Sequence, residues 1–240
     1  GEIFYGGYSQ YAKVNGDFLV KKPEMLTSKQ AMILGTAGLT ALQCSFAAKT
    51  TREELLLGDK VENVIVTGAS GGVGSIAVMI LNKLGCNVTA VTGKESNKEY
   101  LKSIGAKNII NTSDLNKEGR PLDKGLWDGA VDTVGGQILA NVLAQTKESG
   151  IVAACGNAAD IKLNTTVMPF IIRGVKLWGI NSVNTSIKRR QFLWNEASNV
   201  IDFNLLGQSI KEINLEGLLD IYKKMLKGET SGRYIVDLNK

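Results

Sequence analysis

The 240 residues contain no histidine. Without an imidazole, no Ser-His-Asp or Cys-His catalytic unit can be assembled from this chain, and a Cys/His zinc site is nearly excluded. Cysteine is scarce. Cys44, Cys86 and Cys155 are odd in number, far apart in the chain and set in apolar sequence. They read as reduced core thiols of a cytoplasmic protein. No apolar run approaches the ~20 residues that a membrane span needs. The opening residues, Gly1-Glu-Ile-Phe-Tyr5, lack the basic head and apolar core of a signal peptide. They also lack a starting Met, which reads as a processed or truncated chain. The net charge of +5 is spread out, and its densest point, Lys188-Arg189-Arg190, reads as a solvated helix start. No basic stripe interleaved with aromatics marks a nucleic-acid surface. Phosphorylated small molecules suit this charge better.

What the chain does have is a glycine corner. Asn63 to Thr67 is a short β-branched run of the kind that forms a buried parallel strand. It breaks into Gly68-Ala-Ser-Gly71-Gly72-Val73-Gly74 and resumes as Ser75 to Leu84, with helical length and a stop at Gly85. Strand, glycine turn and helix N-terminus in this order make the phosphate-binding corner of a dinucleotide fold. Glycines let the backbone approach a pyrophosphate, and the free N–H groups of the helix start attract its charge.

The rest of the chain supports that frame. Candidate strands at 63–67, 87–92, 107–111, 128–133, 150–155 and 174–180 alternate with helical stretches at 73–84, 96–103, 136–145 and 166–173. This pattern predicts a doubly wound parallel sheet, with its ligand crevice at the carboxyl ends of the strands. Before it, Asn15-Gly16 between two alternating segments predicts a hairpin, and Thr27-Ser28 offers an N-cap for a helix over 29–49. After it, helices at 187–201 and 215–227 lead to a last strand, Arg233 to Leu238. Strand-rich ends around an α/β middle suggest a second domain split between the termini. The expected division is 1–27, 28–185 and 186–240.

The end of the second strand discriminates between nicotinamide cofactors. An NAD site places Asp or Glu there for the ribose 2′-OH. Here the strand ends at Thr92, followed by Gly93, Lys94 and Ser96. A cation and two hydroxyls suit a 2′-phosphate, so NADPH is the expected cofactor. Gly135-Gly136 and Gly156-Asn157 fall at later strand ends, where the crevice should lie. A short-chain dehydrogenase would need Tyr-x-x-x-Lys, and no tyrosine of this chain has Lys four residues on.

At this point a resemblance becomes specific. Val66-Thr-Gly-Ala-Ser-Gly-Gly-Val-Gly-Ser75, Val91-Thr-Gly-Lys-Glu-Ser96, Glu99-Tyr-Leu-Lys-Ser-Ile-Gly-Ala106, Asp132-Thr-Val-Gly135, Val152-Ala-Ala-Cys-Gly156 and Thr165-Thr-Val-Met-Pro-Phe170 resemble the acrylyl-CoA reductase/YhdH–YhfP group. That group lies among the zinc-free quinone oxidoreductases of the medium-chain dehydrogenase/reductase superfamily, and the likeness covers essentially the whole chain. It implies a Rossmann domain with a GroES-like β-rich catalytic domain split between the chain ends, the latter incomplete in these 240 residues. It also implies NADPH-dependent reduction of an activated C=C bond (acrylyl-CoA or a similar enoyl-CoA) or of a quinone. By motif match it places NADPH on Ser70, Gly71, Gly72, Val73, Thr92, Gly93, Lys94, Asn157, Ile171, Ser182 and Arg233. Gly74 and Ser96 join that set from the residue reading above. A family position that can carry Arg after the third strand is Thr112 here. No catalytic residue is assigned and no metal is expected. A non-catalytic, NADPH-binding redox sensor is the alternative. The strand over 176–183, with Leu177, Trp178 and Ile180, is expected to pair with its copy in a homodimer.

Overall fold

The computed structural model describes residues 6–54 and 61–239, with residues 50–54 described by their backbone alone. Its centre is a six-stranded parallel sheet in the order β3-β2-β1-β4-β5-β6. The strands are β1 (Asn63–Val66), β2 (Asn87–Thr92), β3 (Ala106–Asn111), β4 (Trp127–Asp132), β5 (Thr146–Ala154) and β6 (Lys176–Gly179). The order reverses between β1 and β4, where Val66 pairs with Val131 and, on the other side, with Ala90. That reversal opens a crevice at the carboxyl ends of the two central strands.

Helices cover both faces, which is why the central strands β1 and β4 are buried almost without interruption. On one face lie α1 (Ser28–Glu54), α2 (Gly72–Lys83), α3 (Lys98–Ser103) and α7 (Ile187–Val200), with α8 (Phe203–Gly207) beside them. Leu34, Leu42, Ile76, Ile80, Leu101 and Leu193 form its core with Val64, Val66, Val131 and Ala153. On the other face lie α4 (Thr112–Leu115), α5 (Gly136–Ala144) and α6 (Met168–Arg173). There Leu115, Ile138 and Leu143 pack on Ile65, Ala130 and Val152. Alternate strand residues serve opposite faces, as the pleat requires. Truncating Ile65, which is fully buried, should cost about 2–5 kcal/mol.

The first helix departs from expectation in two ways. Its Ser28–Lys49 stretch is long and apolar enough by composition to cross a membrane, although the sequence reading found no such run. Most of that stretch is buried within the fold, as befits a core helix. It is also broken at Gly35, whose φ of 48° and ψ of −149° interrupt the helical path. Only glycine reaches such a conformation at small cost.

The N-terminal hairpin is not there. Residues 16–18 form one 3₁₀ turn capped by Asn15, whose Oδ1 accepts the Asp17 N–H at 3.0 Å. No strand occurs among the described residues before α1. Asn-Gly has been used as a cap instead of an I′ turn, because Asn side chains compete for local backbone donors. Residues 1–5 of the expected N-terminal segment lie outside the described part. At the other end, β7 (Ile210–Ile213), α9 (Leu218–Leu226) and β8 (Arg233–Val236) form a small parallel unit, with Ile210 opposite Arg233. The strand β7 was not foreseen, since four residues between helices give little periodicity to read.

Candidate functional site

The crevice begins at the turn after β1. Gly68 adopts φ 57°, and the next residue, Ala69, donates its N–H to the Val91 carbonyl at 3.0 Å. Gly71 N–H returns to the Gly68 carbonyl at 2.9 Å, closing the turn. Gly71 is the N-cap of α2 and brings no side chain to it, so the first N–H groups of the helix face an open surface. That arrangement attracts an anion. The three glycines of α2's approach do different work. A Cβ on Gly74 would lie 2.3 Å from the Gly68 carbonyl and 2.7 Å from the Ala69 Cα, so Gly74 lets the helix sit against the strand. A Cβ on Gly71 would meet the Gly68 carbonyl at 3.2 Å, a much milder conflict on the exposed side. A Cβ on Gly72 would lie 2.9 Å from Nη1 of Arg233.

Arg233 is the most informative side chain in the structure. It stands at the start of β8, brought to the turn because Gly232 N–H donates to the Ser70 carbonyl at 3.3 Å. Its Nη2 lies 3.4 Å from where a Gly35 Cβ would be, so the kink of α1 and the turn at Gly72 together make room for the guanidinium. Its Nε is buried with no hydrogen-bond partner among the described residues, and burial lowers the pKa of the guanidinium while leaving it cationic. A cation in a glycine cradle, next to a free helix start, fits a phosphate group.

The end of β2 forms the adjoining wall. Thr92 is buried, and its Oγ1 lies 3.3 Å from the Ser70 Oγ and accepts the Lys94 N–H at 3.2 Å. Gly93 is open, with Thr112 beside it. Lys94 is engaged differently from expectation: its ammonium donates to the carbonyls of Gly228 and Thr230 at 2.6 and 2.7 Å. An ammonium has three donors, so one remains for a phosphate. The ion thus links the end of β2 to the segment that delivers Arg233. Ser96 is exposed in the 3₁₀ turn that follows, and Val73 is half-buried at the head of α2.

The far side of the crevice is held by a buried carboxylate. Asp132 accepts from Thr67 Oγ1 at 2.6 Å and from Gly135 N–H at 2.9 Å. Burial pushes its carboxyl above the usual range, against these donors, which favour the ionised form. Thr133 completes the tie by donating through Oγ1 to the Thr67 carbonyl. The turn after β4 is therefore locked to the turn after β1. Asn157 is exposed beside Gly135, and Ile171 is exposed on α6. The Ser182 carbonyl accepts from Arg190 at 2.7 Å. No hydrogen bond of the described residues joins these three to the glycine turn.

Sequence reasoning found the turn, Thr92, Lys94 and, through the resemblance, Arg233. It missed the Thr67–Asp132–Gly135 lock, although Asp132-Thr-Val-Gly135 was visible as a motif. It also missed the tie from Lys94 to the C-terminal segment, for which no local signal exists. Among the described residues, no group of three or more His, Cys, Asp or Glu is placed to hold a metal.

Comparison with known proteins comes down on one group. Residues 72–203 match the family of zinc-binding dehydrogenases. Acrylyl-CoA reductase AcuI of Ruegeria pomeroyi is 42% identical over 240 residues, covering 100% of this chain and 72% of the relative. The crystal structure of the Salmonella enterica yhdH oxidoreductase in complex with NADP superposes with a TM-score of 0.93 at 44% identity, over 99% of this chain and 72% of that one. The Bacillus subtilis protein yhfP, solved with NAD bound, gives a TM-score of 0.88 at 40% identity, over 97% and 70% of the two chains.

Proposed function

The chain belongs to the zinc-binding dehydrogenase family, within the acrylyl-CoA reductase/YhdH–YhfP group of the medium-chain dehydrogenase/reductase superfamily, and on that premise we propose how its crevice works. It is an oxidoreductase, and its cofactor is NADPH. With that cofactor it reduces an activated C=C bond of an enoyl-CoA such as acrylyl-CoA, or a quinone, without zinc. The Arg233 guanidinium over Gly72, its buried Nε without a hydrogen-bond partner among the described residues, is the observation that carries this reading.

The residues fit the cofactor as follows. Gly71, Gly72, Val73 and the head of α2 receive the pyrophosphate, with Gly74 holding that helix against β1 and Arg233 supplying the balancing charge. Ser70, Thr92, Gly93, Lys94 and Ser96 receive the ribose 2′-phosphate, where a carboxylate would repel it. Asn157, Ile171 and Ser182 border the nicotinamide half. Bound NADPH supplies a hydride. The protein's task is to orient that half, and the Asp132 lock serves it by fixing the Gly135 turn at the crevice wall. The absence of histidine from these 240 residues supports zinc independence, despite the family's description.

Residues 28–185 then form the dinucleotide-binding domain, flanked by 1–27 and 186–240 of the catalytic domain. The chain functions in the cytoplasm as a homodimer joined through 176–183. Ile180 N–H already donates to the Ala154 carbonyl at 2.8 Å. By the alternation of a parallel ladder, Leu177 and Gly179 therefore face the open edge. Trp178 is 54% exposed there, which suits burial by a second copy.

The test is NADPH oxidation by the full-length protein against acrylyl-CoA and a quinone panel. Turnover with either class supports the reading. NADPH binding with no turnover on both would leave a cofactor-binding protein and refute it.

A further inference from the structure

Two of the three cysteines, distant in sequence, meet in the fold. A Cβ on Gly72, past the carboxyl end of β1, would lie 3.5 Å from the Ala37 Cβ, and one on Gly129, near the start of β4, would lie 2.5 Å from the Ala48 carbonyl. The first helix therefore runs antiparallel to the strands, directly on this face. Cys44 precedes Ala48 by one turn on the same side. Val131 and Ala153 share the core of that face with Cys44, and Cys155 packs against the same cluster. Cys155 is the first residue after β5, its N–H bonded to the Asp132 carbonyl at 2.9 Å, and it is only half-buried, whereas Cys44 is inaccessible. Both are free thiols, Cys155 Sγ donates to the Asp132 carbonyl at 3.5 Å, and the two thiols lie near enough to shift each other's titration.

We propose that Cys44 and Cys155 are a redox-active dithiol at the crevice wall, closed to a disulfide by hydrogen peroxide. The more accessible partner reacts first. The Cys155 thiolate attacks one peroxide oxygen, the O–O bond breaks, and the leaving hydroxide takes a proton to become water, leaving Cys155 as a sulfenic acid. The Cys44 sulfur then attacks the Cys155 sulfur, the S–O bond breaks, and the sulfenic oxygen departs as a second water with the Cys44 proton. Two thiols are oxidised and one peroxide is reduced. Cys155 is the accessible thiol of the pair and Cys44 the buried one, and their proximity lowers the Cys155 pKa and raises that of Cys44, which assigns the nucleophile to Cys155 and the resolving role to Cys44. The third thiol, Cys86, is buried and its pKa is raised mainly by that burial, so it serves as an internal reference.

Treatment of the purified protein with hydrogen peroxide, followed by alkylation under denaturing conditions and mass spectrometry, tests this. The expected result is loss of two hydrogen masses, a linked Cys44–Cys155 peptide, an alkylated Cys86, and reversal by dithiothreitol. Cys44→Ser should leave a Cys155 sulfenic acid that dimedone traps, and Cys155→Ser should show neither product. Three alkylated cysteines in the peroxide-treated wild type, or a linkage through Cys86, would overturn the proposal.

Discussion

Replacing Arg233 with Met separates the cost of the cradle from its use. Methionine keeps much of the apolar stem and removes the charge. In the cofactor-free chain, Arg233 Nε is buried without a partner among the described residues, and such a group costs about 1–3 kcal/mol. The variant should therefore unfold at the same denaturant concentration as the wild type or at a higher one. With cofactor the sign reverses. Hydrogen bonds from a cation to phosphate are worth about 1.5–3 kcal/mol, so NADPH should bind roughly 10–150-fold more weakly to Arg233→Met. Calorimetric titration and chemical denaturation of the same preparation read both quantities. Unchanged NADPH affinity would refute the reasoning. So would a less stable cofactor-free variant, since Arg233 would then be a structural residue.

The two outer glycines of the turn should fail in different ways. Gly71→Val points a side chain over the open helix start and should leave folding intact while abolishing NADPH binding. Gly74→Val drives a Cβ into backbone and should destabilise the chain by about 3 kcal/mol, the upper end for overpacked sites; equal stability of the two in urea would contradict this. Lys94→Ala should weaken NADPH more than NADH, because one donor of its ammonium is left for the phosphate. Equal losses by calorimetry would mean that Lys94 only ties Gly228 and Thr230. Gly179→Pro removes an outward-facing donor of β6 and should give monomers by sedimentation. A variant that still sediments as a dimer would place the interface elsewhere. Substituting Ile180 instead would break the bond to Ala154 and confuse the result.

The doubly wound sheet was legible because short strand-like segments alternate with helical stretches along the chain, and Val64 to Val66, all β-branched, is the plainest case. The glycine corner was legible because its chemistry is local. Arg233 reached the candidate site only by resemblance, since nothing near it in sequence announces a phosphate contact. The kink at Gly35 was hidden, because helical periodicity continues on both sides of it. The Cys44–Cys155 contact was hidden for the same reason as the Lys94 clasp. Each joins elements whose relative placement depends on packing, and composition alone made the three thiols look separate. Asn15-Gly16 misled because the same dipeptide serves a hairpin or a 3₁₀ cap, and only a partner strand decides between them.

The central claim is an NADPH site built from Gly71, Gly72, Thr92, Lys94 and Arg233. Isothermal titration of the wild-type protein with NADPH and then with NADH tests it most directly. The account predicts that NADPH binds at least about tenfold tighter, roughly 1.4 kcal/mol. Equal affinities, or tighter NADH, would contradict it.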